Sequence, residues 1–231
     1  MLNDIPEYIG KYTTLGVLGH GSMGSVYKSL DPQINRIVAI KVLRKGVMKN
    51  ILSGDQLLER FVTEARAAGN LRHQNIVTVF EANWDEDPPY IVMDYIEGKG
   101  LDQVIKEFQP LDRTFVYHIL TQVASGLDYA HSKRIYHRDI KPSNIIVDKN
   151  NVAMIADFGV AVIGQNDQSE PVFGSPGYMS PEQIRNEQLD QRSDQFSLAV
   201  VAFECILGQR PFPGKDFHQV VGNILADKRY K

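Results

Sequence analysis

Cysteine is nearly absent from this sequence, and basic residues are scattered along it. The lone Cys205 cannot form an intramolecular disulfide, which fits a reducing compartment. Because nothing near it would lower its pKa, a small core residue is favoured over a reactive thiol. No run of Lys or Arg exceeds two residues and the net charge is −3, so neither nucleic acid nor an anionic membrane is expected as the main partner.

Long hydrophobic runs are lacking as well. The most apolar stretch, residues 196–207, is 12 residues long and contains Glu204, so it is too short to span a bilayer and predicts a buried helix. Residues 1–6 show no basic region followed by an apolar core, and we therefore expect no secretory signal. The expected location is cytoplasmic, with tethering to a membrane through a further C-terminal region as the open alternative. With 231 residues, 43% of them apolar, the chain suits a globular protein with two lobes.

Two short polar motifs stand out against this background. Residues 137–144 read His-Arg-Asp-Ile-Lys-Pro-Ser-Asn, and residues 157–159 read Asp-Phe-Gly, with the apolar stretches 145–147 and 154–156 between them. Each motif alone is a weak signal, whereas the two in this order are a strong one. Together they resemble the catalytic signature of protein kinases, with Ile140 at the position where Leu is usual.

The residue types in these motifs suit phosphoryl transfer. Asp139 can accept a proton or orient a hydroxyl group, and Lys141 can neutralise a phosphoryl group in transit. Asn144 and Asp157 offer oxygen ligands of the kind that Mg²⁺ prefers. His137 is a tempting general base, but the resemblance makes it a structural support under the loop, and that interpretation is favoured.

A glycine-rich stretch precedes these motifs. Residues 19–24 contain the pattern G-x-G-x-x-G, which in a dinucleotide-binding fold leads from a strand into a helix. Here both flanks are β-like, so a glycine hairpin over phosphates is favoured over that fold and over an ordinary turn. Residues 38–41 then match the V-A-I-K element of kinases letter for letter. Lys41 is therefore interpreted as a phosphate ligand rather than as an edge-strand lysine that reaches water.

The remaining N-terminal elements follow the same resemblance. Apolar residues at helical spacing predict a helix from Asp55, in which Glu64 resembles the glutamate that pairs with the strand lysine. As an ordinary helix residue, Glu64 would instead be a solvated charge. Two more strands are predicted at residues 76–80 and 90–93. Residues 94–98 resemble the hinge of kinases, for which a simple strand-to-helix turn is the alternative.

The C-terminal part is predicted to be mainly helical. Helices are expected at residues 113–134, from residue 191 onward and at residues 216–226. Asp194 resembles the aspartate that anchors the catalytic loop through its backbone. As an acid at a helix start it is also expected to cap that helix, and the two roles are compatible. Residues 157–182 resemble the activation segment.

That segment departs from the family pattern. The positive charge of Arg138 would pair with a phosphate on the activation segment. In the family that phosphate is most frequent at the position that Pro171 occupies here. We hypothesise that Ser169, or Glu170 as a weaker fixed anion, fills the site beside the arginine. The resemblance covers the chain to about residue 228. In the family, an arginine further along the chain pairs with the glutamate at the position of Glu182. We therefore expect Glu182 to lack its partner and apolar surface to be exposed.

The resemblance implies an α+β, bilobal protein-kinase-like fold. An N-terminal antiparallel β-sheet lobe with one αC helix would span residues 11–93, followed by a hinge at residues 94–98. A mainly helical C-terminal lobe, incomplete at its C-terminus, would span residues 99–231.

The resemblance also implies an activity, with ATP as the phosphoryl donor, Mg²⁺ or else Mn²⁺ as the metal, and protein Ser or Thr hydroxyls as acceptors. Lys141 favours Ser/Thr over Tyr kinases, and residues 177–183 look most like bacterial eukaryotic-like Ser/Thr kinases. The implied catalytic residues are Asp139, Lys141, Lys41 and Glu64, and the implied metal ligands are Asn144 and Asp157. The implied nucleotide contacts are Leu18, Gly19, Gly21, Gly24, Val26, Ala39, Lys41, Met93, Tyr95, Ile96 and Ile146.

Two alternative functions stay open at this stage. A pseudokinase or signalling scaffold usually lacks at least one of the key polar residues, and none is missing here. A small-molecule kinase of similar fold would be expected to lack the Ser-Pro-Glu sequence at residues 180–182. The partners expected for the leading interpretation are ATP and protein substrates, with dimerisation or autophosphorylation in trans as further expectations.

Overall fold

A computed structural model describes residues 5–21, 24–43, 54–158, 162–163 and 174–226. The chain divides into two compact units. Unit 1 is Met1–Arg72 with Val77–Ile96, and unit 2 is His73–Ile76 with Glu97–Lys231. The domain limits drawn from the sequence, at residues 93 and 99, stay predictions.

Unit 1 is built on an antiparallel sheet. Its strands, in chain order, are β1 (Tyr8–Ile9), β2 (Tyr12–His20), β3 (Gly24–Asp31), β4 (Arg36–Leu43), β5 (Val79–Asn83) and β6 (Tyr90–Asp94). Among the described residues the sheet order is β1-β2-β3-β4-β6-β5, and neighbouring strands are antiparallel. Strand β4 is buried from Val38 to Leu43 because it is an inner, largely β-branched strand. Tyr27, Ile40 and Val92 belong to the same buried cluster on the sheet.

The helix of unit 1, α1 (Gly54–Gly69), packs against β5. Phe61, Ala65 and Ala68 are buried, and their spacing of three and four residues puts them on one face of the helix. The helix predicted from Asp55 is therefore confirmed.

The strand predicted at residues 76–80 is wrong at its start. Strand β5 begins only at Val79, whereas Ile76 belongs to unit 2 and forms an isolated parallel bridge with Ile155. The reason is a turn in which the Ile76 N–H donates to the His73 carbonyl, while the Asn75 carbonyl accepts from the Ile155 N–H at 2.8 Å. Apolar residues of two separate units thus read as one strand in the sequence.

Unit 2 is mainly helical. Its helices are α2 (Leu101–Phe108), α3 (Arg113–Ser132), α4 (Pro181–Ile184), α5 (Gln191–Leu207) and α6 (Phe217–Leu225), with a short 3₁₀ helix at Pro142–Asn144. Its strands are β7 (Gly98–Gly100), β8 (Ile135–Tyr136), β9 (Ile145–Asp148), β10 (Ala153–Ile155) and β11 (Val162–Ile163). The described strands form one sheet of order β10-β9-β7 and a β8–β11 pair, and α3 packs against α5 and β10. The predicted α+β class is confirmed.

The residues at the two ends of helix α5 explain where the helix begins and ends. Asp190 caps its start by accepting from the Arg192 N–H at 2.8 Å, and Gly208 ends it in the left-handed conformation at φ +71°. The expectation that Asp194 caps this helix is therefore wrong, because the cap is Asp190. At the far end of α5, Ile206 and Leu207 are exposed, unlike the buried helix predicted there. Within the described residues, no helix combines the length and apolarity needed to cross a bilayer.

Candidate active site

Helix α5 anchors the loop of residues 137–144 through the side chain of Asp194. The fully buried carboxylate of Asp194 accepts from the backbone N–H groups of His137 at 2.9 Å and Arg138 at 2.8 Å. Because a carboxylate only accepts, the Nε2–H of His131 on α3 is the donor in the third contact, at 2.8 Å. One buried side chain therefore fixes the loop backbone to two helices.

His137 lies at the centre of this support. Its Nδ1 accepts from the Asp139 N–H at 3.3 Å, and its Nε2 lies 3.1 Å from the Ala156 carbonyl, which can only accept. The network therefore assigns the neutral tautomer with the proton on Nε2. Both ring nitrogens are engaged, and the ring packs at 4.7 Å from that of Phe158, so His137 supports the loop rather than serving as a base.

The Asp139 carboxylate is surrounded by donors. Its Oδ2 accepts from the Lys141 ammonium at 2.6 Å, and its Oδ1 accepts from the Ser175 N–H at 2.8 Å. The same ammonium donates to the Ser175 hydroxyl at 2.8 Å. The side chains of Asp139 and Lys141 are 13% and 26% exposed, so they are oriented by contacts and still reach solvent. This arrangement can orient a hydroxyl group and place a positive charge beside it.

Two backbone positions in this region are strained. Arg138 has φ +64° and Asp157 has φ +62°, which non-glycine residues rarely adopt and which costs about 1–3 kcal/mol each. The contact with Asp194 helps to hold the Arg138 conformation, and the Gln183 side-chain amide donates to the Arg138 carbonyl at 2.7 Å. The surroundings thus keep the loop in one geometry, which is a form of preorganisation.

The two candidate metal ligands lie on adjacent, hydrogen-bonded segments. The Asn144 amide nitrogen donates to the Asp139 carbonyl at 2.9 Å, so the orientation of this side chain is fixed. The backbone carbonyl of Asn144 accepts from the backbone N–H of Ala156, the residue before Asp157, at 2.9 Å. Within the described ranges, no group of three or more His, Cys, Asp or Glu side chains could hold a metal. An amide and a carboxylate suit Mg²⁺, which usually takes one or two protein ligands together with water and substrate phosphates.

In unit 1 the glycine-rich stretch connects two antiparallel strands. Strand β2 ends at His20 and β3 begins at Gly24, and the Gly21 N–H donates to the Gly24 carbonyl at 2.7 Å. The predicted glycine hairpin is confirmed, and the dinucleotide fold is excluded because a strand rather than a helix follows. The His20 ring also contacts the Ser25 hydroxyl across the hairpin at 2.9 Å, with Nδ1 as the ring atom.

Lys41 lies in the interior of the sheet of unit 1. It is 7% exposed on β4, which runs between β3 and β6. The alternative of an edge-strand lysine that reaches water is therefore wrong. The side chain of Glu64, its predicted partner, falls outside the described part of the chain, as do Ser169 and Glu170.

The predicted nucleotide contacts of unit 1 fall on β2, β3, β4 and β6 and just beyond β6. Ala39 is buried, Val26 is half-buried, Met93 pairs with Ala39 in the sheet, and Leu18 is exposed. Tyr95 and Ile96 follow β6 and are half-buried. The remaining predicted contact, Ile146, is a half-buried residue of β9 in unit 2.

A contact of Tyr95 was missed from the sequence. The Lys28 ammonium lies 4.4 Å from the centre of the Tyr95 ring, within the range of a cation–π interaction. Side chains alternate along β3, so Lys28 lies on the same face as Val26, a predicted nucleotide contact. This alternation could have indicated from the sequence that Lys28 lies near the other predicted contacts.

Glu182 has a hydrogen-bond partner, contrary to expectation. Its carboxylate accepts from the Ser193 hydroxyl at 2.7 Å. Glu182 lies in α4 and Ser193 lies in the first turn of α5. The two helices therefore bring a hydroxyl donor to Glu182 that the resemblance did not indicate. Nearby, the Tyr178 hydroxyl donates to Glu204 at 2.5 Å, and burial, together with this bond, raises the pKa of Tyr178.

Cys205 is 1% exposed, which confirms it as a core residue. Burial raises the pKa of its thiol from 9.0 to about 12.

Comparison with known proteins agrees with these features. The model of the protein kinase domain family matches residues 12–230, so the chain belongs to the protein kinase family. It is 37% identical over 209 residues to the serine/threonine-protein kinase PrkC of Bacillus subtilis. It is 35% identical over 226 residues to the serine/threonine-protein kinase pkn3 of Myxococcus xanthus, and 35% over 219 residues to PknB of Mycolicibacterium smegmatis.

These alignments cover most of the chain but a minor part of each relative. They include 89%, 90% and 90% of the chain for PrkC, pkn3 and PknB, but only 32%, 41% and 34% of those proteins. The protein kinase family uses ATP, a divalent metal and protein substrates.

Proposed function

We propose that this chain is a Ser/Thr protein kinase that transfers the γ-phosphoryl group of ATP to hydroxyl groups of proteins. The observation that carries the proposal is the Asp139 carboxylate, which lies 2.6 Å from the Lys141 ammonium and is fixed by the Ser175 N–H. Membership of the protein kinase family and likeness to serine/threonine-protein kinases support it.

In the proposed mechanism, the residues of unit 2 act on the acceptor. Asp139 orients the substrate hydroxyl and accepts its proton, and Lys141 stabilises the charge on the phosphoryl group in transit. Asn144 and Asp157 would hold Mg²⁺, or Mn²⁺ in its place, and a metal held there would supply positive charge to the phosphates of the nucleotide.

The residues of unit 1 act on the nucleotide. The backbone N–H groups of the glycine hairpin approach the phosphates, because glycines 19, 21 and 24 put no Cβ in the way. Lys41, oriented by Glu64, binds the α- and β-phosphates. Tyr95 and Ile96 contact the adenine through their backbone.

The decisive measurement is transfer of radiolabelled γ-phosphate to a generic Ser/Thr substrate such as myelin basic protein. The wild type should label the protein with Mg²⁺ and with Mn²⁺, and Asp139→Asn should lose at least about 100-fold, the usual contribution of a positioned base. Asp85→Asn makes the same chemical change on an exposed loop and should keep full activity. If the wild type binds nucleotide without any transfer, the proposal fails in favour of a pseudokinase.

Autophosphorylation between two copies belongs to the same proposal. Its rate per molecule should rise in proportion to the concentration of the chain, whereas labelling within one copy would be independent of concentration. Dimerisation is tested by sedimentation over the same concentration range. The proposed setting of the reaction is the cytoplasm.

A further inference from the structure

The peptide bond that leads into Asp139 has a buried carbonyl group, that of Arg138. Arg138 is 8% exposed and has φ +64°. A buried carbonyl needs a hydrogen-bond donor, because leaving it unsatisfied costs free energy. The donor is the side-chain amide of Gln183, whose Nε2 lies 2.7 Å from the Arg138 oxygen. Gln183 lies in α4 and is itself 4% exposed, so both partners of this bond are shielded from water.

This hydrogen bond acts on the peptide group between Arg138 and Asp139. The peptide group is planar, so its carbonyl oxygen and the Asp139 N–H turn together. At the N–H edge, the contact with Nδ1 of His137 is long, at 3.3 Å. The 2.7 Å bond from Gln183 at the carbonyl edge is therefore the stronger restraint on the plane. The direction in which the Asp139 side chain leaves the backbone depends on this plane.

The Gln183 amide is held at its other atom as well. Its Oε1 accepts from the Ser180 N–H at 3.0 Å, and the Gln183 N–H donates to the Ser180 hydroxyl at 3.3 Å, which together form a capping box at the start of α4. In a flipped amide, Nε2 would face the Ser180 N–H and Oε1 would face the Arg138 carbonyl, so donor would meet donor and acceptor would meet acceptor. The network therefore assigns Nε2 to the Arg138 carbonyl.

The capping box depends on a departure from the family sequence. Protein kinases usually have Ala-Pro-Glu at this place, whereas this chain has Ser180 in place of the alanine. The serine is fully buried, and its hydroxyl supplies an acceptor that an alanine lacks. Ser180 thus helps to fix the helix turn that carries Gln183.

The side chain of Asp139 is held by the same stretch of chain as its backbone. The Ser175 N–H donates to Oδ1 of Asp139 at 2.8 Å, while Gln183 acts through the Arg138 carbonyl. Ser175 restrains the carboxylate itself, and Gln183 restrains the peptide from which that side chain extends. The two contacts therefore fix the same group at two levels.

The orientation of Asp139 matters for the rate of the proposed reaction. A base must meet the substrate hydroxyl within hydrogen-bond reach. A displacement of about 1 Å can slow a reaction by about 100-fold. Without the bond from Gln183, the peptide plane before Asp139 can turn and carry the carboxylate with it.

We propose that Gln183 is a positioning residue of the kinase reaction, which sets the direction of the Asp139 carboxylate through the Arg138 carbonyl. Gln183 acts through the loop backbone and takes no part in the proton transfer itself. Its loss should therefore slow the chemical step and leave the binding of ATP unchanged, because other residues bind the nucleotide. This inference rests on the proposed kinase activity.

The test separates the amide donor from the capping box. Gln183→Met keeps the length of the side chain and removes the donor, so the rate of phosphate transfer in a single turnover should fall about tenfold or more. The KM for ATP should stay within about twofold of the wild type, since only the transition state loses an interaction. Ser180→Ala removes the capping hydroxyl and keeps the amide, so its rate should fall less than about threefold.

Two glutamines elsewhere in unit 2 provide matched controls. Gln103 accepts from the Gly100 N–H at 3.3 Å at the start of α2, and the Gln109 amide donates to the Cys205 carbonyl at 3.3 Å. Gln103→Met therefore removes a capping contact, and Gln109→Met removes an amide-to-carbonyl contact. Both variants should transfer phosphate at the wild-type rate.

Two further measurements make the result independent of folding and of activity. Titration with a fluorescent ADP analogue counts the folded molecules of each variant, and rates are expressed per nucleotide-binding molecule. Hydrogen exchange of the backbone amides of residues 137–140 reports on the loop without any substrate. These amides should exchange at least about twofold faster in Gln183→Met than in the wild type, and unchanged in Gln103→Met.

A wild-type transfer rate in Gln183→Met would overturn the proposal. An equal loss in Ser180→Ala would assign the effect to the cap of α4, and a raised KM for ATP with an unchanged rate would assign it to nucleotide binding; either result would overturn the proposal as well. If the wild type transfers no phosphate, the proposed kinase activity fails instead, and hydrogen exchange still decides whether Gln183 holds the peptide before Asp139.

Discussion

The Asp194 carboxylate accepts a hydrogen bond from the backbone N–H of Arg138 at 2.8 Å, although 56 positions separate the two residues in the chain. The bond fixes a loop whose arginine has φ +64°, a conformation that is unfavourable for any residue with a side chain. The position of Asp139, the next residue, therefore depends on a helix far along the sequence.

Asp194→Ala should impair both stability and activity. The change leaves the buried N–H groups of His137 and Arg138 without their acceptor, which costs roughly 2–5 kcal/mol for the pair. Urea unfolding and phosphate transfer measure the two effects. Asp190→Ala, four positions earlier, removes only the cap of α5 and should cost about 1 kcal/mol without loss of kcat. Equal activity of the two variants would contradict the proposed role of Asp194.

Ser175 should matter through its hydroxyl. The Lys141 ammonium donates to this hydroxyl at 2.8 Å, and a hydrogen bond with a charged group contributes about 1.5–3 kcal/mol. Ser175→Ala should therefore lower kcat about tenfold or more, whereas Ser175→Thr, which keeps a hydroxyl, should retain most of it. Ser132→Ala removes an exposed hydroxyl at the end of α3 and serves as the control. Equal kcat for the Ala and Thr variants would show that the hydroxyl is dispensable.

Cys205 should be unreactive in the folded chain. Burial raises its thiol pKa from 9.0 to about 12, so the thiolate is scarce at pH 8 as well as inaccessible. Labelling with Ellman's reagent at pH 8 should be slow in the native protein and fast in 6 M guanidinium chloride.

The same shift predicts a pH effect on stability. Because the folded pKa is the higher one, the neutral thiol stabilises the fold fully below pH 9, and this contribution is lost as the pH rises from about 9 to about 12. Cys205→Ser should remove this part of the pH dependence of unfolding. Rapid native labelling at pH 8 would contradict the buried position.

Gly98 should not tolerate a side chain. A Cβ at this position would collide with the backbone carbonyl of Val147, where β7 pairs with β9. Gly98→Ala should destabilise the fold by about 1–3 kcal/mol, as overpacking usually does. Gly16→Ala on β2, where a Cβ meets nothing within 4 Å, should be tolerated. Chemical unfolding measures the stability of both variants. Equal stability of Gly98→Ala and Gly16→Ala would mean that β7 lies further from β9 than the structure shows.

Local sequence patterns predicted the elements but not always their limits. Periodicity of apolar residues indicated α1 and α3 correctly, because burial of one helix face recurs every three to four residues. It failed at residues 76–80, where Ile76 and Val79 lie on different units although they are neighbours in an apolar run. Periodicity reports that a residue is buried, not what it is buried against.

The sequence by itself determined which polar residues belong to the candidate site, because Asp139, Lys141 and Asn144 are close in the chain and their chemical types suit phosphate and metal. Only the tertiary structure decided how they are held. The contacts of Asp139 with Ser175, and of Asp194 with His131 and the loop backbone, join residues 36 to 63 positions apart. Hydrogen bonds form between atoms that packing brings within about 3 Å, and spacing along the chain carries no record of that distance.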